Sequence, residues 1–350
     1  MGSLASSSRS SDEDSPQLYS VYASFSAKTP SPDVNWIECY NLSTNTWFQV
    51  TSIPGLPKNH VLKGFAMVIV GDSIYIIGGL CCHKNVIDQQ QVHPSVLRYS
   101  IPEDNWSTCT PLKEPRFDFA CAVSGGKIYV AGGKCTTHSV RGVSSAEVYD
   151  PALGEWKLLP NMSTSRDKGV GVTWQDKFYV VGGFATDTQG PFTMARSSAE
   201  VYDTLTNTWQ FLPRMWELDV PPNQIVVVGG KLFSSGDCYK KWKGFIEKYD
   251  RELNMWNVVD GSSLSSPTSM LDVTSPDRPL MEQLYLSIAP IGTCLYFFAG
   301  YRMIGETSWF KSEVHVFNTS DGGVWTSFEP KVEHGEKELS CHCSVYKRRG

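Results

Sequence analysis

Apolar and polar residues alternate in short runs along most of the chain, the period-two pattern of strands that bury one face. Phe119-Ala-Cys-Ala-Val123 leads through Gly125-Gly126 into Lys127-Ile-Tyr-Val-Ala131. Two such runs separated by a glycine pair predict a hairpin. Apolar stretches such as Ile225–Val228 end at glycine, and none approaches the roughly 18 residues of a membrane span. The pattern therefore predicts an all-β chain that is not a membrane protein.

The hairpins recur. Strands ending in small residues appear at Gly78-Gly79, Gly132-Gly133, Gly182-Gly183, Ser235-Gly236 and Ala299-Gly300. Each precedes a polar loop, a strand bearing Tyr99, Tyr149, Tyr202, Tyr249 or Phe317, and then Trp106, Trp156, Trp209, Trp256 or Trp325. Trp47, following Tyr40, is an earlier member of the series. Trp106, Trp156 and Trp209 each lie 27 residues before the next second-position glycine, whereas the first and last intervals are 32 and 44. A constant unit with two insertions marks a repeat architecture, and each unit has room for four strands.

These residues resemble the kelch repeat, a β-propeller blade whose second strand ends in Gly-Gly and whose third and fourth strands carry Tyr and Trp. The likeness covers roughly residues 18–346 and departs from the pattern at Ser235 and Ala299. Six Trp-bearing strands imply a six-bladed kelch propeller. The first blade lacks an innermost strand, and Leu339–Tyr346 reads as the strand that completes it and closes the ring. Deleting residues 338–350 is then expected to give insoluble or unfolded protein. The glycine pairs and the repeated Tyr and Trp residues become architectural. Met215–Asn223 and the nearby Leu232–Asp237 resemble plant F-box/kelch-repeat proteins. Only polar sequence precedes Leu18, so neither an F-box nor a BTB module is expected. Residues 1–17 read as a disordered polar tail, 260–278 as an inserted loop and 347–350 as a basic tail.

Composition refines this picture. The 350 residues include 29 glycines and 11 tryptophans, and the repeat accounts for most of the Gly-Gly and Trp positions. A formal net charge of −5 argues against nucleic-acid binding driven by overall positive charge. The polar amino terminus lacks a secretory core, so the cytoplasm, and also the nucleus, are the expected locations; Lys347-Arg348-Arg349 is too short to establish nuclear targeting. Ten scattered cysteines then read as reduced thiols.

By resemblance, the blade crossings and the loops joining second and third strands form a partner-binding face. They carry His60, Lys63, Arg116, Arg166, His138, Arg141, Lys240, Trp242, Lys243 and Trp309. Arg116 and Arg166 occupy equivalent places, and their forked donors suit carboxylate or phosphate. Trp242 or Trp309 would supply an apolar anchor. Replacing both arginines is expected to abolish partner capture with little loss of stability. The alternative is that these are loop charges paired with neighbours such as Asp118 and Asp167.

Cys81-Cys82-His83 and Cys341-His342-Cys343 lack zinc-site spacing, and adjacent strand residues point to opposite faces. The Glu-x-x-x-Asp-x-x-x-His run of plant specifier proteins is also missing. No metal or cofactor is expected, and the glycine pairs precede no phosphate-binding helix. The expectation is a non-catalytic, monomeric interaction scaffold or adaptor for an acidic or phosphorylated protein segment, linked at most indirectly to a ubiquitin ligase. An enzyme or specifier-type protein using the central pocket is the alternative reading.

Overall fold

The computed structural model describes residues 19–27, 35–86, 89–186, 195–262, 264, 280–304, 309–320, 323–332 and 335–348. The polar tail and most of the 260–278 insertion lie outside them. Among the described residues the only helical positions are Ala195 and Arg196. The remainder builds six four-stranded antiparallel sheets, with one smaller sheet of three strands and one of two. This all-β arrangement is consistent with the expected kelch propeller.

Sheets 2 to 6 follow chain order, beginning with Ala66–Val70, Ala120–Ser124, Val170–Trp174, Ile225–Val228 and Leu280–Ile291. Sheet 1 contains Tyr19–Ala27, Asn35–Asn41 and Thr46–Ser52, and its fourth strand is Lys337–Lys347 from the far end of the chain. Tyr19 pairs with Lys347 and Ala27 with Lys337. The same late strand reaches both neighbours. Met67 N–H donates to Cys341 Sγ at 3.2 Å and Ser344 Oγ to Met67 O at 3.0 Å in sheet 2, while Cys343 N–H donates to Ser287 Oγ at 2.8 Å in sheet 6.

Six hydrophobic clusters fill the junctions between neighbouring sheets, including one between sheets 6 and 1 that joins Val21, Phe25 and Trp47 to Phe298 and Val314. The repeated aromatics explain this packing. Tyr40–Trp47, Tyr99–Trp106, Tyr149–Trp156, Tyr202–Trp209, Tyr249–Trp256 and Phe317–Trp325 are direct cross-strand pairs with ring centroids 5.0–5.4 Å apart. Five indoles also donate to the preceding unit. Trp156 Nε1 reaches Thr110 O at 2.9 Å, and Trp106, Trp209, Trp256 and Trp325 make corresponding bonds. Each of these five tryptophans thus packs within its own sheet and fastens it to the one before.

The turn between third and fourth strands has its own repeated device. Tyr40, Tyr99, Tyr202 and Tyr249 donate their hydroxyls to Asn45, Asp104, Asn207 and Asn254, all four of which have positive φ. Asn and Asp tolerate that conformation better than other side-chain-bearing residues, and the tyrosine hydroxyl secures them there.

Glycine pairs determine how the upper ends of the sheets are shaped. Gly132 and Gly133 have φ of 71° and 86°, and a Cβ on Gly132 would lie 2.5 Å from Arg166 O. The pair therefore breaks the strand and lets the next crossing approach, where Gly133 N–H bonds Arg166 O at 2.9 Å. Sheet 6 has Ala299-Gly300 instead, and Gly300 is not in the left-handed region. Its strands Leu280–Ile291, Cys294–Ile304 and Trp309–Asn318 run on for 10 to 12 residues, with one register shift between Gln283 and Tyr285. In the second unit the corresponding extension is detached as the small sheet His60–Lys63, Leu80–His83 and Gln90–Val92.

Candidate functional site

The crossings and the second-to-third strand connections meet on one side of the molecule. Bridges Phe117–Lys134 and Pro222–Asp237, with strand pairs His60–His83 and Arg166–Ala185, tie the two kinds of segment together. Local backbone pairing, rather than loop freedom, positions this face.

Arg116 and Arg166 are equivalent, as the repeat predicted, but their guanidinium groups do not face a partner. Arg116 is 0% exposed and Arg166 1%. Arg116 Nη1 donates to Gly132 O at 2.8 Å and Ser145 O at 3.1 Å, and its Nη2 meets Glu147 Oε1 at 2.9 Å. Arg166 repeats the pattern with Gly182 O at 2.9 Å, Ser198 O at 3.3 Å and Glu200 Oε1 at 3.2 Å. The expectation of two anion-binding arginines is therefore corrected. A guanidinium whose two Nη groups already meet carbonyls and a buried carboxylate, and which is itself buried, is inaccessible to a second anion.

The carboxylates complete the device. Glu147 accepts from Lys113 N–H at 2.9 Å and Glu114 N–H at 3.2 Å, and Glu200 from Ser163 N–H at 2.6 Å and Thr164 N–H at 3.0 Å. Each Arg–Glu pair thus pins a crossing to the following sheet. Glu38 plays a related part in sheet 1, where it bonds the buried Lys337 ammonium. Lys337 Nζ also lies 4.2 Å from the Phe25 ring centroid and 5.6 Å from that of Trp47. In sheet 2 the corresponding positions are Leu62 and Leu97, which pack in one apolar cluster. The signal was present in the sequence as the repeated Ala-Glu-Val-Tyr-Asp at 146–150 and 199–203.

Trp242 is a second correction. It is only 9% exposed, stacks on Phe297 at 4.7 Å, and donates Nε1–H to Phe245 O at 2.8 Å. Its large ring is part of the junction between sheets 5 and 6 and cannot also anchor a partner. Trp309, by contrast, is 53% exposed. Lys63, His138, Arg141, Lys240 and Lys243 are also exposed, and His60 is half-buried with its ring 5.0 Å from that of His83.

Three cations near the crossings are paired, as the alternative reading anticipated for the loop aspartates. Lys134 lies 3.5 Å from Asp167, Lys168 4.0 Å from Asp118, and Lys240 3.3 Å from Asp237. Burial pushes the Asp118 and Asp167 carboxyls up, against the pull of Lys168 and Lys134.

The Cys341-His342-Cys343 run lies in the closing strand. Burial lowers His342 to about 4 and raises the flanking thiols to about 11 and about 12. A neutral imidazole between protonated thiols is a packing arrangement, and all ten cysteines are free. Among the described residues no three His, Cys, Asp or Glu side chains converge as metal ligands. No helix among them is long and apolar enough to cross a membrane.

Comparison with known proteins agrees with this architecture. The Kelch motif matches residues 115–163 and 170–215. F-box/kelch-repeat protein At1g16250 of Arabidopsis thaliana is 30% identical over 188 residues, covering 52% of this chain and 46% of that protein. F-box/kelch-repeat protein SKIP20 of the same plant is 30% identical over 249 residues, covering 67% and 54%. F-box/kelch-repeat protein At1g67480 is 32% identical over 216 residues, covering 60% and 52%. The chain spans about half the length of these curated relatives. With the matched motifs falling on sheets 3 and 4, and their Tyr, Trp and glycine positions recurring in neighbouring sheets, the chain is a kelch-repeat protein.

Proposed function

We propose that the six sheets are the blades of a closed ring and that this propeller is a non-catalytic interaction scaffold or substrate-recognition adaptor. Its partner is an acidic or phosphorylated protein segment bound on the face built from crossings and second-to-third strand loops. One observation carries the reading: that face sets exposed apolar side chains, Val86, Val140, Tyr239 and Trp309, among exposed Lys63, Arg141 and Lys243. Among the described residues none of these three cations has a carboxylate within ion-pair distance. Aromatic anchors beside unpaired cations suit an acidic polypeptide.

The kelch repeats and the F-box/kelch relatives support a protein-interaction role. A connection to a ubiquitin ligase through a further protein, a monomeric state and a cytoplasmic or nuclear location belong to the same proposal. Its test is affinity capture with wild-type protein and a Lys63→Glu, Arg141→Glu, Lys243→Glu variant, using Lys157→Glu on an outer strand as control. The triple variant should lose its specific partners while the control retains them. Equal capture by all three proteins would refute the assignment of this face.

A further inference from the structure

Sheet 6 and the loop of sheet 5 create a more specific surface. Because Ala299-Gly300 does not kink the strand, Met281, Met303 and Trp309 become directly opposed residues on three adjacent strands. Directly opposed residues share one face of a sheet. Met281 and Met303 pack against the cluster between sheets 5 and 6, so this row faces sheet 5. Trp309 ends the row and remains exposed.

The sheet-5 loop approaches the other end. Trp242 fixes it by stacking on Phe297, donating its backbone N–H to Gln283 Oε1 at 3.1 Å, and donating Nε1–H to Phe245 O. The residues on either side, Lys241 and Lys243, are exposed. Lys241 Nζ donates to Met281 O at 3.0 Å, which holds its ammonium at the head of the methionine row. Among the described residues neither lysine has a carboxylate partner, whereas the neighbouring Lys240 has Asp237. Phe245, also exposed, borders the loop side.

We propose that this row is a docking site for an acidic partner segment carrying one aromatic or long aliphatic anchor. The anchor lies on Trp309 and Met303, and the acid faces Lys241 and Lys243. Neighbouring strands are about 4.8 Å apart, so the two ends of the row are separated by about 10 Å, which an extended peptide covers in about three residues. The recognised segment therefore places its acidic residue about three positions from its anchor. Unpaired lysines at one end and an exposed indole at the other supply the charge and apolar complementarity, and Trp242 pre-organises the lysines. The site deepens the proposed function and rests on its reading of an acidic partner.

Fluorescence polarisation on the full chain tests it with short synthetic peptides containing one Phe and a Glu pair centred three residues away. Companion peptides replace Phe by Ala or Glu by Lys. The parent peptide should bind, each companion should bind about tenfold or more weakly, and Trp309→Ala and Lys241→Glu should each cause a similar loss. Circular dichroism confirms that both variants are folded. Unchanged binding in both folded variants overturns the site. Binding lost only in Lys63→Glu, Arg141→Glu also overturns it, while leaving acidic recognition elsewhere on the face intact. Failure of every acidic peptide to bind overturns both readings.

Discussion

Replacing Arg166 with alanine is expected to destabilise the fold by about 3–5 kcal/mol, the range for breaking a buried ion pair from one side. The magnitude follows from what remains. Glu200 is 0% exposed and would keep its charge without a cation, while Gly182 O and Ser198 O would lose their Nη1 donor. Among the described residues only Ser163 and Thr164 would still donate to the carboxylate. Glu200→Gln in the Arg166→Ala background should recover part of the loss by removing the stranded charge. Exposed Arg141→Ala should change stability by no more than about 0.5 kcal/mol. Urea unfolding followed by circular dichroism and tryptophan fluorescence measures all four proteins, with the slope m checking that the denatured state is comparable. A loss below about 1 kcal/mol in Arg166→Ala, together with failed partner capture, would refute the structural role and restore a direct binding role for this arginine.

Lys337→Met should cost about as much, because it strands the buried Glu38 and removes the cation over Phe25, and its midpoint in urea should fall accordingly. His342 gives a pH signature: its folded pKa is depressed from 6.5 to about 4, so the unfolded chain binds more protons between those values. Stability should decline as pH falls through that window, and His342→Gln should flatten the decline in thermal melts; an unchanged slope would assign it to other groups. Asn207 has φ of 55° and accepts from Tyr202 Oη at 2.6 Å. Asn207→Ala should lose about 1–2 kcal/mol, and Asn207→Gly less, since glycine keeps the turn while losing only the hydroxyl contact.

The repeat was legible because its physics is local and recurs. Gly-Gly marks a strand break, Tyr and Trp mark a cross-strand pair, and the spacing between them registers one sheet after another. The C-terminal strand was legible for a related reason, since the first unit had too few strands and the last residues alternated like one. Arg116 and Arg166 were recognised as equivalent but assigned the wrong direction. A side chain's direction depends on where its partner falls in three dimensions, and Glu147 and Glu200 lie 31 and 34 residues farther along the chain. Trp242 was misread similarly, because the loop containing it bears the lysines of an exposed surface while its ring turns inward onto Phe297.

Departures from the repeat account for what remains available to a partner. Where the Arg–Glu pair is present, the crossing is fastened internally and its charge is neutralised. Where Leu62 and Leu97 replace the pair, the junction is apolar, and among the described residues the nearby cations Lys63 and Lys84 have no carboxylate within ion-pair distance. Where Ala299 replaces a glycine, the left-handed kink is disfavoured and the strand continues, carrying Met303 and, through its hairpin partner, the exposed Trp309. Restoring glycine with Ala299→Gly alone should not lower that hairpin, because Cys294–Ile304 stays paired to Leu280–Ile291 on one edge and to Trp309–Asn318 on the other. The long strand is held by its pairing along both edges as well as by the residue that permits it. The exposed indole is therefore a built feature of the sixth sheet, placed where the repeat gives way.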